Sequence, residues 1–200
     1  MKRCGRVFLG ILTAAALTAG GCAGSREAEG TTLYVDEDGV LEQAIVEPMG
    51  EDTFTQEELR AYIRDDLAAY AEENGGETVA LDSCRISEDT VRITLTYASA
   101  GDYAAYNQVE CFLGTVQEAE GAGYGFEGNF LDAGGNAVEA AAVLEQSGAH
   151  VLILEEAITV QVPDDVLYTT SNAAVSGKQT VTVEASEDGF TEEPVYIIYQ

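Results

Sequence analysis

The C-terminal third of the chain limits the possible folds most. From Val151 onward, short β-branched and aromatic runs follow one another: Val151 to Leu154, Ile158 to Val162, Val166 to Tyr168, Thr180 to Val183 and Val195 to Tyr199. Runs this short suit strands rather than helices, and Ser176-Gly177-Lys178 and Glu187-Asp188-Gly189 read as turns between them. Upstream, Val91, Ile93, Leu95 and Tyr97 alternate with Arg92, Thr94 and Thr96. A period of two is expected of a strand with one face in a core and the other in water. Val79 and Leu81 suggest a partner strand, joined through the polar Ser87-Glu88-Asp89. Thr32 to Val35 and Val40 to Val46 bracket Asp36-Glu37-Asp38-Gly39, which predicts a hairpin with Gly39 at positive φ.

Helical signals are fewer. Thr55, followed three residues later by Glu58, is a capping-box signature; Leu59, Tyr62, Ile63, Leu67 and Tyr70 recur behind it on one face, and Asn74-Gly75-Gly76 ends the helix. A second helix is expected from Asp102 to Leu113, broken at Gly114, with a short helical piece continuing through Ala119. Glycines at 121, 123, 125 and 128 then mark an irregular connection, and Ala137 to Gln146, ended by Gly148, favours a further helix. No repeat or linker interrupts the interior. The pattern predicts an α+β domain over residues 31–200, with antiparallel strands, two to three helices and a C-terminal third that is mostly β. A break near Gly134-Gly135 into two subdomains is the alternative.

The N-terminus carries an address rather than a fold. Lys2, Arg3 and Arg6 precede an apolar run of 11 residues from Val7 to Leu17, and Ala19-Gly20-Gly21 stands directly before Cys22. Spanning a bilayer as a helix takes about 20 apolar residues, so this run is a signal-peptide core and not a transmembrane anchor. The segment resembles the lipobox of bacterial lipoproteins, with Ala19 where a leucine is favoured. The resemblance implies cleavage of residues 1–21, acyl chains on Cys22, and residues 22–30 as a lipidated tether without large apolar side chains. It places the domain at the extracytoplasmic face of the cell membrane. An ordinary secretory signal, cleaved nearby, is the alternative.

Loss of residues 1–21 leaves 179 residues, enough for a hydrophobic core without a disulfide framework, with six basic and 36 acidic side chains and a net charge of −30. The remaining cations, Arg26, Arg60, Arg64, Arg85, Arg92 and Lys178, are scattered. Nucleic acid is therefore not expected as a partner, and neither is a polybasic contact with lipid. A broad negative field attracts cations, calcium included, although an acidic surface also serves solubility alone. Asp36-Glu37-Asp38-Gly39 fails the spacing of an EF-hand loop.

Cys84 and Cys111 remain as a possible disulfide closing 27 residues, or as two thiols. On the expected helix, Cys111 falls away from the stripe of Tyr106, Val109 and Leu113 and does not read as a core residue. A metal site is not expected from two cysteines and one histidine.

No catalytic constellation emerges. His150 is the sole histidine and sits at the start of an apolar strand; Ser176 and Lys178 flank a turn glycine. Glu155-Glu156 and Asp164-Asp165 are adjacent pairs, whose side chains point apart on extended backbone. Gly121, Gly123 and Gly125 follow no strand and lead to no lysine-serine or lysine-threonine pair, so they form no phosphate cradle. Most tyrosines lie on core-facing periodicities, and Tyr103 and Tyr106 beside Asn107 are the best candidates for a recognition patch. The whole resembles the small lipoproteins of bacterial envelopes. The expectation is a non-enzymatic binding module, without cofactor or metal, that is tied to the membrane through Cys22 and contacts an envelope protein or small ligand. A carboxylate-dependent hydrolase, calcium-supported or not, and a structural subunit of an envelope assembly are the alternatives.

Overall fold

The structure is a computed structural model that describes residues 28–50, 54–184 and 189–200. The lipobox, Cys22 and most of the tether lie outside the described residues, as do Glu187 and Asp188 of one expected turn. Within them, thirteen strands and four helices form an α+β fold built on two sheets.

Local signals set the first sheet. The hairpin of β1 (Thr32–Val35) and β2 (Leu41–Pro48) forms as expected. Asp36 Oδ1 accepts hydrogen bonds from the backbone N–H groups of Asp38 and Val40, and Gly39 takes φ 81° to close the turn. Strand β2 pairs with β4 (Thr90–Tyr97), and β4 pairs with β3 (Val79–Ser87). On its other side β1 runs parallel to β9 (Thr159–Gln161), which carries β12 (Thr180–Val183) and then β11 (Ala173–Ser176). The second sheet is antiparallel, in the order β5 (Cys111–Thr115), β8 (His150–Glu156), β13 (Phe190–Tyr199), β10 (Val166–Thr170), β6 (Phe130–Asp132), β7 (Ala137–Val138).

Burial explains the two textures of the sequence. The larger core joins the sheets, taking Leu33, Val35 and Leu41 from the first and Leu152, Leu154 and Ile197 from the second. The intervening residues of β8 and β13, Val151, Ile153 and Ile198, enter a second core with Val116 of α3 (Val116–Ala122), Val143 of α4 (Ala140–Leu144), Phe126 and Phe130. Strands covered on both faces read as unbroken apolar runs. Strand β4 is covered on one face, so Val91, Ile93, Leu95 and Tyr97 are buried while Arg92 is exposed.

Helix α1 (Gln56–Asn74) carries the expected capping box, with Glu58 N–H donating to Thr55 Oγ1 and Thr55 N–H to Glu58 Oε2, and it ends on Gly75 in the left-handed region. Leu59, Ile63, Leu67 and Tyr70 pack into the larger core. Tyr62 does not: it is 69% exposed, because at 100° per residue it stands about 95° from the centre of that stripe.

Three further expectations are corrected. The helix placed at 102–113 is α2 (Ala100–Asn107), closed by Gln108 at φ 61°, and Cys111 to Thr115 then form β5 against β8. Cys111 is consequently buried in the larger core, because alternation along β5 replaces the helical stripe that pointed it away. The helix over 137–146 shrinks to α4, as Ala137 and Val138 pair with β6. The tether also packs at its end: Ala28 is buried beside Tyr34 and Ala44, and the Arg92 guanidinium donates to its carbonyl at 2.5 Å. Gly134-Gly135 lies in the β6–β7 turn, where Asp132 Oδ1 accepts from Gly134 N–H and Asn136 N–H, and the larger core draws residues from both sides of it in sequence.

Candidate functional site

The residue types most often used in chemistry are distributed between the interior and one opening. Cys84 on β3 and Cys111 on β5 are buried and unbonded in the same core. Burial pushes the Cys111 thiol up to about 12, with Glu156 and Glu110 adding to it, and burial raises Cys84 as well. Both are neutral thiols that pack as small apolar groups.

The tyrosines singled out as a patch are interior. Tyr103 and Tyr106 of α2 are buried, and the Tyr97 and Tyr103 rings meet edge to face at 4.9 Å. Their polar tips are joined into a network. Tyr97 O–H donates to Gln43 Oε1 at 2.8 Å, Tyr103 O–H to Glu156 Oε2 at 2.6 Å, and Tyr106 O–H to Asp66 Oδ2 at 2.8 Å. Asn107 Nδ2 donates to Tyr97 Oη at 3.3 Å and Gln43 Nε2 to Tyr103 Oη at 3.4 Å. A core helix face, not a recognition surface, is what their spacing encoded. Burial raises the Glu156 carboxyl, opposed by the Tyr103 hydrogen bond, and burial also raises Glu47 on β2.

Lys178 does not face Ser176 as a base; its ammonium pairs with Asp165 Oδ2 at 2.6 Å across the turn. His150 is exposed at the start of β8, and its ring stacks on Tyr199 with centroids 5.5 Å apart and planes 21° from parallel. That pair belongs to the row Thr115, His150, Tyr199, which the registers of β5, β8 and β13 place side by side at one end of the second sheet.

Beside this row the space between the sheets opens as a cleft of about 500 Å³, within the size range of small-molecule sites. The β1–β2 turn forms one wall. A Cβ on Gly39 would stand 3.7 Å from Leu113 Cδ2, so the turn lies directly over β5 and brings Asp36, Glu37 and Asp38 to the rim. Ser99 to Gly101, at the start of α2, form a second wall; Phe112, Leu113, Pro163, Asp164, His150 and Tyr199 complete it. Among the described residues no lysine or arginine lines the cleft. The carboxyls that burial raises, Glu47 and Glu156, do not line it either. Among the described residues no group of three or more His, Cys, Asp or Glu side chains is arranged to hold a metal ion.

Asp36 to Gly39, His150 and Asp164 stood out in the sequence for other reasons, whereas Ser99, Leu113 and Tyr199 did not stand out as site residues. The lining comes from six separated segments, and linear spacing carries no signal of their meeting. No family model, curated protein or solved structure matches the chain.

Proposed function

We propose that this α+β protein is a lipid-anchored, extracytoplasmic binding module of a bacterial cell envelope. Cys22 carries the acyl chains, and the two-sheet domain contacts an envelope protein, polymer fragment or small solute. The observation that carries the reading is the segment Lys2-Arg3 to Ala19-Gly20-Gly21-Cys22, whose apolar core is too short to span a bilayer. The tether sets the geometry: β1 begins ten residues after Cys22, so the domain stands close to the membrane surface. An open cleft of about 500 Å³ with apolar walls and a few polar groups supports a binding role. Metabolic labelling with an alkyne-bearing fatty acid tests the anchor: the protein takes up label and sediments with membranes, and Cys22→Ala loses both. Retained label on that variant overturns the anchor. Binding is tested by the melting temperature of the mature protein in neutral detergent, against calcium, magnesium and envelope sugar and peptide fragments at fixed ionic strength. A saturable shift with one of them supports the module through linkage, whereas small equal shifts with every divalent ion reduce the effect to screening of the −30 charge.

A further inference from the structure

The cleft at the end of the sandwich carries one ligand chemistry, and this reading of it rests on the binding-module reading above. Asp164 and Asp165 are neighbours, but only Asp165 holds Lys178. Asp164 is exposed on the cleft wall and makes no ion pair or hydrogen bond among the described residues. Next to it stands Tyr199, 2% exposed, whose phenol also finds no hydrogen-bond partner among the described residues. The side chain is largely covered but its oxygen is not sealed off, so on the wall of an open cleft it is a polar position within reach of a ligand. Burial, with Asp164 adding to it, pushes that phenol up to about 12; it stays neutral and keeps its oxygen lone pairs. Glu37 and Asp38 add carboxylates at the rim, while Asp36 is used by its own turn.

The start of α2 also lies in the wall, and a helix N-terminus by itself favours an anion. Here Asp102 occupies the first turn and accepts from Ser99 O–H at 2.5 Å, which places a negative charge on that pole. The overall charge of the mature chain repels anions and draws cations in. Between the polar groups, Phe112, Leu113 and Pro163 supply an apolar surface.

We propose that the cleft binds a primary ammonium on an apolar body. The ammonium donates to the Asp164 carboxylate and to Tyr199 Oη, and the body lies on Leu113, Phe112 and Pro163. Asp164 supplies the charge complement, and Tyr199 fixes the position of the nitrogen.

The test is calorimetric titration of the mature, lipidated protein in neutral detergent with 2-phenylethylamine at fixed ionic strength. Its N-acetyl derivative, which lacks the charge, and methylammonium, which lacks the apolar body, serve as comparison probes. The expected result is saturable one-site binding of 2-phenylethylamine alone. Asp164→Asn weakens it about tenfold or more, as loss of a charge-assisted hydrogen bond should, and Tyr199→Phe weakens it about threefold to tenfold. Both substitutions preserve volume, and unchanged melting temperatures show that the fold is intact. Absence of saturable heat, equal binding of either comparison probe, or wild-type affinity in both variants overturns the proposal. If 2-phenylethylamine fails while an envelope fragment still shifts the melting temperature, the amine site falls and the binding module stands; labelling at Cys22 is independent of both.

Discussion

Tyr103 and Tyr199 lie on the same core, between the same two sheets, yet their hydroxyls meet different fates. Tyr103 is fully buried and satisfied: it donates to Glu156, accepts from Gln43, and through Gln43 is linked to Tyr97 and Asn107. Tyr199 is covered over its ring, but it stands where the space between the sheets opens and its phenol, which is not sealed off, is unmatched among the described residues. The satisfied network ties β2, β4, α2 and β8 together and serves the fold. The unmatched group serves the fold only through its ring, which leaves its oxygen for something else. A hydroxyl completed inside the core serves packing, whereas one left at the core's open edge is within reach of a ligand.

The largest effect that can break this comparison is loss of the floor common to both regions. Leu152, fully buried on β8, contributes to that floor, and Leu152→Ala is expected to cost about 2–5 kcal/mol in chemical denaturation. A cost below about 1 kcal/mol would mean that the two regions do not share one packed core. Next comes Tyr103→Phe, which leaves the Glu156 carboxyl and the Gln43 amide short of a partner. Its expected cost is about 1–3 kcal/mol, measured in the same way. A neutral result would show that the network is no more structural than Tyr199.

Glu156→Gln sharpens the comparison through pH. The folded state holds the Glu156 proton more tightly than the unfolded chain, because burial raises its carboxyl. The stability this contributes is present below the ordinary carboxylate value and is lost as pH rises through the raised folded value. The variant lacks that loss, so denaturation midpoints from about pH 4 to about pH 8 should show it gaining on the wild type as pH increases. Parallel curves would remove Glu156 from the network's energetics. The smallest effect belongs to Tyr199→Phe: with no hydrogen bond to lose, its unfolding free energy should stay within about 0.5 kcal/mol of wild type. A cost like that of Tyr103→Phe would show a partner for the Tyr199 phenol and erase the difference between the two sites.

Much of the fold was legible because its signals are local. The Asp36 to Gly39 turn, the Thr55/Glu58 capping box and the alternation from Val91 to Tyr97 each specify their own backbone through contacts within a few residues. Cys111 to Thr115 was misread because five mostly apolar residues suit a strand or the end of a helix equally, and its partner β8 lies almost forty residues away. A second capping box, Thr115 with Glu118 at the start of α3, was in the sequence and marks where β5 must end. Of the candidate site, the acidic turn and His150 were visible as residues, but their meeting with Tyr199 was not.

What the sequence determined by itself is therefore the net charge and those elements whose hydrogen bonds and apolar period close locally. The tertiary structure decided which sheet each C-terminal strand joins, that β1 takes β9 as a parallel neighbour, and that α2 stops at Asn107. It also decided that the Tyr103 hydroxyl is completed within the core and that the Tyr199 hydroxyl is not. Those outcomes depend on pairing and burial between residues far apart in the chain, where the stabilising groups are supplied by other elements and no local pattern records them.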